Sequence, residues 1–127
     1  MAVYSNASLT PDVLPGLAHS TLAGHEHGLA SLAVWSQSVD AGGATPPHRH
    51  DCEEVVVVLE GSGVIAMDGS ETTFGAGDTV VIPPNKPHQI FNTGSSALRL
   101  IAAFSMAPVR VEFPDGTPID LPWQQAA

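Results

Sequence analysis

Short apolar runs separated by glycine and proline constrain the fold of this chain more than any other feature. Glycine and proline contribute 12 and 11 of the 127 residues, and they are spread along the chain rather than gathered into one linker. The runs between them are rich in valine, isoleucine, leucine and threonine, and no window carries an apolar stripe of helical period and length. Short strands divided by turn residues predict an all-β sandwich or barrel.

The turn signals also locate the individual strands. Asp68-Gly69 is a strong two-residue hairpin signal, and Thr10-Pro11-Asp12 resembles a helix start, so we expect one short helix at Thr10–Leu14. The predicted strands are Leu29–Val39, Val55–Glu60, Val64–Met67, Thr72–Phe74, Thr79–Ile82, His88–Asn92, Ala97–Phe104 and Val109–Phe113.

The length predicts a single domain over residues 1–127. A domain of this size buries a core without disulfides or structural metals, so a bound metal would serve function. Cys52 is the single cysteine, which excludes an intrachain disulfide and a cysteine-rich zinc module. The first residues lack the pattern of a signal peptide, and no apolar stretch approaches the ~20 residues of a membrane span. We therefore expect a cytoplasmic protein without membrane association.

The charge balance bears on the partners of the protein. The formal net charge is −9 with four basic residues, too few to neutralise the phosphates of a nucleic acid, so we expect no nucleic-acid partner. The run Val55–Leu59 is apolar at every position, so both faces of that strand need cover. This predicts a homodimer.

Histidine and glutamate recur at spacings typical of metal ligands. His48 and His50 are two apart, so in a strand both imidazoles lie on one face, and Glu54 follows four residues later. His88 begins another strand that can face them across a barrel. Buried ionisable groups are costly unless paired or bound to a metal. Three imidazoles and a carboxylate suit one divalent transition metal, namely Fe, Mn, Ni, Cu, Co or Zn, without choosing among these.

These residues fall into two longer motifs. The first consists of Gly42, His48, His50, Glu54 and Gly61, and the second of Gly77, Pro83, Asn85, His88 and Asn92. They resemble the two motifs of the cupin superfamily, G-x5-H-x-H-x3,4-E-x6-G and G-x5-P-x-G-x2-H-x3-N. The one departure is Asn85, where the family has glycine, and asparagine is the side chain that best tolerates a positive φ.

The resemblance implies a small single-domain cupin. Its fold would be a jelly-roll β-barrel over about residues 17–113 with extensions at both ends. The metal would be held by His48, His50, Glu54 and His88.

Several kinds of chemistry are open to such a site. A redox metal with two open positions can hold a small organic substrate and dioxygen, with Glu54 as general base. Oxidative cleavage resembles the activity of cupin dioxygenases such as quercetinases and is the leading hypothesis. The alternatives are Lewis-acid isomerisation or lyase chemistry, and binding of a small ligand without turnover, as in a sensor.

Three further residues are candidates for contact with a substrate. Trp35 and Gln37 share one face of the first long strand, with Gln37 as a hydrogen-bond donor, although Trp35 could equally pack in the core. Phe91 is a third candidate, with core packing as the alternative. Trp123, in the Pro-rich tail, is expected to pack away from the metal.

Four other residues are expected to have no part in binding a metal or substrate. Glu53 is expected in solvent or in a salt bridge with Arg49. His25 and His27 are assigned to a solvated loop. Cys52 is interpreted as a small buried hydrophobe.

Overall fold

The computed structural model describes residues 3–124, so the ends of the predicted domain, residues 1, 2 and 125–127, lie outside it. Three short 3-10 turns occur at Asn6–Ser8, His25–His27 and Pro122–Gln124. Within 3–124, no helix is long and apolar enough to cross a membrane. The strands are β1 (Asp12–Leu14), β2 (Leu17–Ala23), β3 (Ala33–Val39), β4 (Glu54–Glu60), β5 (Ser62–Met67), β6 (Ser70–Gly75), β7 (Thr79–Ile82), β8 (His88–Asn92) and β9 (Leu98–Phe104).

The strands form two antiparallel sheets that enclose one core. The larger sheet has the order β1-β2-β3-β9-β4-β7 and the smaller one the order β6-β5-β8. Buried apolar side chains from both sheets meet between them. The predicted all-β jelly-roll barrel is confirmed.

Strand β4 shows how the sequence determines which residues face the core. Val56 and Val58 are buried, whereas Val57 and Leu59 on the opposite face are 39% and 49% exposed. Side chains alternate between the two faces of a strand, so the first residue of β4, Glu54, shares the inward face with Val56 and Val58. A carboxylate is thereby carried into the barrel.

The hairpin between β5 and β6 turns where the sequence predicted. Met67 pairs with Ser70, so Asp68 and Gly69 form a two-residue loop. Both have positive φ, 57° and 73°, as a turn of type I′ requires.

The N-terminal prediction of a helix at Thr10–Leu14 is wrong. Asp12–Leu14 is strand β1, which pairs with β2 around a turn in which Gly16 has a φ of 74°. Strand β2 was not predicted from the sequence. Sheet pairing with β3 supplies the stability that the local sequence does not signal.

Two of the predicted strands differ most from the structure. The first long strand begins at Ala33 rather than Leu29. Val109–Phe113 is not a strand, and its Glu112 makes only isolated bridges, to Arg49 and to Pro118. Val109 and Val111 are nevertheless buried. Prolines at 108 and 114 flank this segment, and because proline lacks a backbone donor it limits strand pairing.

Candidate metal centre

Backbone pairing brings the two halves of the histidine set together. His48 and His88 exchange two backbone hydrogen bonds, with N–O distances of 3.0 and 2.8 Å. His50 follows on the same segment, and Glu54 begins the next strand. One ring nitrogen each of His48, His50 and His88 lie within 4.8 Å of one another. The structure thus gathers the residues that the sequence named as ligands.

Each of the three imidazoles is oriented by a backbone carbonyl. A carbonyl only accepts, so the ring nitrogen facing it, Nδ1, must carry the hydrogen. This leaves Nε2 of every ring with a lone pair available to a metal, an arrangement typical of ligating histidines. The Nδ1–O distances are 2.7 Å from His48 to Pro46, 2.9 Å from His50 to Arg110 and 2.8 Å from His88 to Lys86.

Glu54 adds a carboxylate to the three imidazoles. Its Oε1 lies 3.4 Å from Nε2 of His50 and 3.4 Å from Nε2 of His88. Oε1 of Glu54 and Nε2 of His88 are both buried without a hydrogen-bond partner among the described residues. Atoms about 2.1 Å from one ion, at tetrahedral or octahedral angles, are separated by about 3.0–3.4 Å. The residues present therefore fit a divalent transition metal.

Burial also sets the charge state of these groups. Burial, with smaller contributions from His88 and His50, lowers the pKa of His48 to about 4. Burial likewise lowers the pKa of His50. For Glu54 burial acts to raise the pKa, but the imidazoles of His88, His50 and His48 outweigh it and lower the pKa overall. Neutral imidazoles beside a carboxylate are the protonation states that metal binding requires.

A cavity of about 110 Å³ opens above this donor set. His48, His50 and Glu54 contribute to its lining, as do Trp35 and Gln37. The remaining lining residues are Leu14, Leu17, Thr45, Pro46, Phe104, Val111, Ile119, Asp120, Leu121 and Trp123. The lining is mostly apolar, with few polar groups, as in most small-molecule sites.

Two of the expectations about surrounding side chains need correction. Phe91 does not line this cavity, because it lies on the opposite face of β8 from His88 and Ile90. Trp123 was expected away from the metal but lines the same cavity as His48 and His50. The final described turn folds back over the barrel mouth, which local sequence does not reveal.

The structure also shows the surroundings of the four residues that were expected to lie outside the site. Cys52 is buried in the core, and Glu53 is exposed. Arg49 pairs with Glu112 at 3.1 Å rather than with Glu53. His25 is exposed and His27 partly exposed, both in a 3-10 turn.

His19 is the main residue beside the site that the sequence pattern does not single out. It is fully buried, and it lies directly opposite Gln37 in the pairing of β2 with β3. Recognising β2 as the partner of the strand that carries Trp35 and Gln37 would have placed His19 beside the cavity.

Curated relatives were found for most of the chain. It is 38% identical to auxin-binding protein 1 of Arabidopsis thaliana over 107 residues, which is 76% of this chain and 54% of the relative. It is also 38% identical to auxin-binding protein T85 of Nicotiana tabacum over 108 residues, 76% of this chain and 58% of the relative. The chain thus spans little more than half the length of these relatives.

Solved structures agree with the architecture. The polyketide cyclase RemF from Streptomyces resistomycificus superposes with a TM-score of 0.74 over 95% of this chain and 87% of that one, at 22% sequence identity. The family profile of the cupin domain matches residues 35–104, from Trp35 to Phe104. With the barrel, the family profile and the relatives in agreement, the chain belongs to the cupin family.

Proposed function

We propose that this protein binds one divalent metal through His48, His50, Glu54 and His88 and uses it to bind a small organic acid. The observation that carries the proposal is the pair of buried atoms without partners, Oε1 of Glu54 and Nε2 of His88. Burying such atoms is costly unless a further group satisfies them. A cation between them satisfies both.

The cavity leaves the charge of an acid ligand to be matched by the bound ion alone. No lysine or arginine is among the described residues that line it, so a carboxylate there has no protein cation to pair with. The bound ion would supply that positive charge. The two relatives are named auxin-binding proteins, and auxin is an aromatic carboxylic acid. Trp35 and Phe104 would contact the apolar part of such a ligand and exclude water.

Turnover of the bound molecule is the second candidate function. Four protein ligands leave two positions open on a six-coordinate ion, which favours the oxygen-dependent cleavage that the sequence predicted. Glu54 would then have to detach from the ion before its carboxylate could accept a proton from the substrate. Isomerase or lyase chemistry uses the same residues without oxygen.

Metal binding is tested with a matched pair of glutamate variants. Glu54→Gln removes the buried carboxylate, and Glu53→Gln removes its exposed neighbour. We expect about one metal per chain in wild type and in Glu53→Gln. In Glu54→Gln and His88→Ala we expect affinity for Co(II) or Zn(II) to fall by more than the ~10–100-fold that loss of an outer-shell partner costs. Calorimetric titration measures this, and wild-type affinity in both variants would refute the ligand set.

Ligand binding and turnover are then separated on the metal-loaded protein. Indole-3-acetate and benzoate are titrated into the Co(II) form while its visible spectrum is recorded, with metal-free protein as the control. A spectral change that depends on the metal supports binding of an acid, and its absence with both probes would contradict the proposal. An oxygen electrode reports whether either probe is consumed oxidatively.

A further inference from the structure

Two hydrogen bonds, one at each ring nitrogen, hold the imidazole of His19 in place. The amide nitrogen of Gln37 lies 3.0 Å from Nδ1 of His19, and Nε2 of His19 lies 2.9 Å from Oγ1 of Thr21. Because an amide nitrogen only donates, Nδ1 accepts and Nε2–H donates to the hydroxyl. The ring is therefore an uncharged imidazole held at both nitrogens, and burial, which lowers its pKa to about 4, agrees with that state.

The same ring is the platform for an aromatic cluster. The indole of Trp123 stacks on it, with ring centroids 3.6 Å apart and planes within 12°. Trp35 meets it edge-on at 4.7 Å, and the two indoles are 5.6 Å apart at 84°. His19 thus contacts three residues that line the metal cavity, namely Trp35, Gln37 and Trp123.

Trp123 borders two spaces at the surface of the barrel. It lines the inner cavity of about 110 Å³ and also an outer groove of about 460 Å³ that includes His25 and Glu26. Its Nε1 is buried and has no hydrogen-bond partner among the described residues. The inward position of the indole is therefore held by stacking rather than by a hydrogen bond of its own.

The cavity is small for the ligands proposed above. A cavity of about 150 Å³ is known to accommodate benzene, and the inner space here is about 110 Å³. An aromatic acid is larger than benzene, so it either extends out of this open cavity or displaces part of its wall. Trp35 and Trp123 both line this space and the outer groove. Trp35 is buried in the central strand β3, whereas Trp123 lies on a single 3-10 turn near the end of the described chain.

We infer that His19 is a positioning residue that holds Trp123 over the metal cavity as a gate, with the stack between the two rings as its closed state. Outward movement of Trp123 joins the inner cavity to the outer groove. The hydrogen bond from Gln37 to His19 meanwhile keeps Gln37, another residue of the cavity wall, in place. The consequence for ligand entry rests on the proposed function, whereas the contact between the two rings does not.

The experiment measures how accessible Trp123 is to a small neutral quencher. Trp35 and Trp123 are the two tryptophans of the chain, so Trp35→Phe leaves Trp123 as the single reporter. In this background, acrylamide quenching is measured with fluorescence lifetimes on the Zn(II)-loaded protein for His19→Asn, His19→Phe and the control Glu53→Gln. Circular dichroism and thermal melts confirm that each variant is folded.

Stacking predicts a specific pattern among these variants. We expect a severalfold rise in the bimolecular quenching constant for His19→Asn, which keeps a polar side chain but loses the ring. We expect a near-parental constant for His19→Phe, which keeps a ring but loses the hydrogen bonds, and for Glu53→Gln. An unchanged constant in His19→Asn, or an equal rise in His19→Phe, would overturn the inference.

The same measurement on metal-free protein separates this inference from the proposed function. If the titrations show no metal binding and His19→Asn still raises the quenching constant of Trp123, the positioning role of His19 stands and the metal proposal fails. If metal binds tightly but Trp123 is equally protected in His19→Asn, the positioning role fails alone.

Discussion

Replacing His19 by phenylalanine is expected to change how the stability of the barrel depends on pH. His19 has no solvent exposure, and burial lowers its pKa to about 4 from an ordinary value of 6.5. Because the folded protein binds this proton less readily than the unfolded chain, the contribution of His19 is complete above pH 6.5. It is lost as the pH falls from 6.5 to about 4. The pKa difference corresponds to about 3 kcal/mol of unfolding free energy.

Urea unfolding of the metal-free protein at pH 7, 6, 5 and 4 measures this loss. Wild type should lose about 3 kcal/mol more than His19→Phe over that range, because the other titrating groups are common to both proteins and cancel in the difference. The exposed His25, changed to alanine, provides the control and should follow wild type. Parallel curves for wild type and His19→Phe would refute the assignment of His19 as a buried neutral imidazole.

Two further predictions concern the assembly and the turn at Asn85. We expect the exposed apolar face with Val57 and Val81 to form a homodimer, so light scattering at micromolar concentration should give a dimer for wild type and a monomer for Val81→Lys. Val13→Lys, on the other edge strand, should remain dimeric, and a monomeric wild type would contradict the prediction. Asn85 has a φ of 60°, so Asn85→Ala should cost about 1 kcal/mol in urea unfolding and Asn85→Gly little. An equal loss of unfolding free energy in Asn85→Ala and Asn85→Gly would contradict the role of the positive φ.

The central strands were predictable because their sequence pattern and their burial coincide. In β4 and β8 the apolar and ligand residues alternate with side chains that face outward. The hairpin at Asp68-Gly69 was predictable for another reason, since few residue pairs adopt two consecutive positive φ angles. In each case the information lies within a few neighbouring residues.

The N-terminal strands were not predictable in the same way. β1 has three residues, and Pro11 beside Asp12 also fits the start of a helix. What makes this segment a strand is its pairing with β2, and β2 in turn pairs with β3, more than ten residues further along the chain. Such long-range pairing outweighs weak local propensity.

The residues around the candidate site likewise fall into those that the sequence predicts and those that it does not. His48, His50 and Glu54 were predicted from their spacing, because a few residues of β structure determine which side chains share a face. His88 was predicted from a second strand that can face them across a barrel. His19 and Trp123 do not follow from spacing. One belongs to a strand that the pattern did not reveal, and the other folds across the barrel mouth from a segment with little regular structure.

The reciprocal backbone hydrogen bonds between His48 and His88 have a consequence for how the site could be altered. The distance between these two residues is set by main-chain pairing that any side chain except proline can satisfy. On the proposed function, exchanging either imidazole for another donor would change the ion that the site prefers, while the backbone pairing that presents it stays in register. The barrel would then be a fixed frame for different ligand side chains, and a new metal preference would not require a new fold.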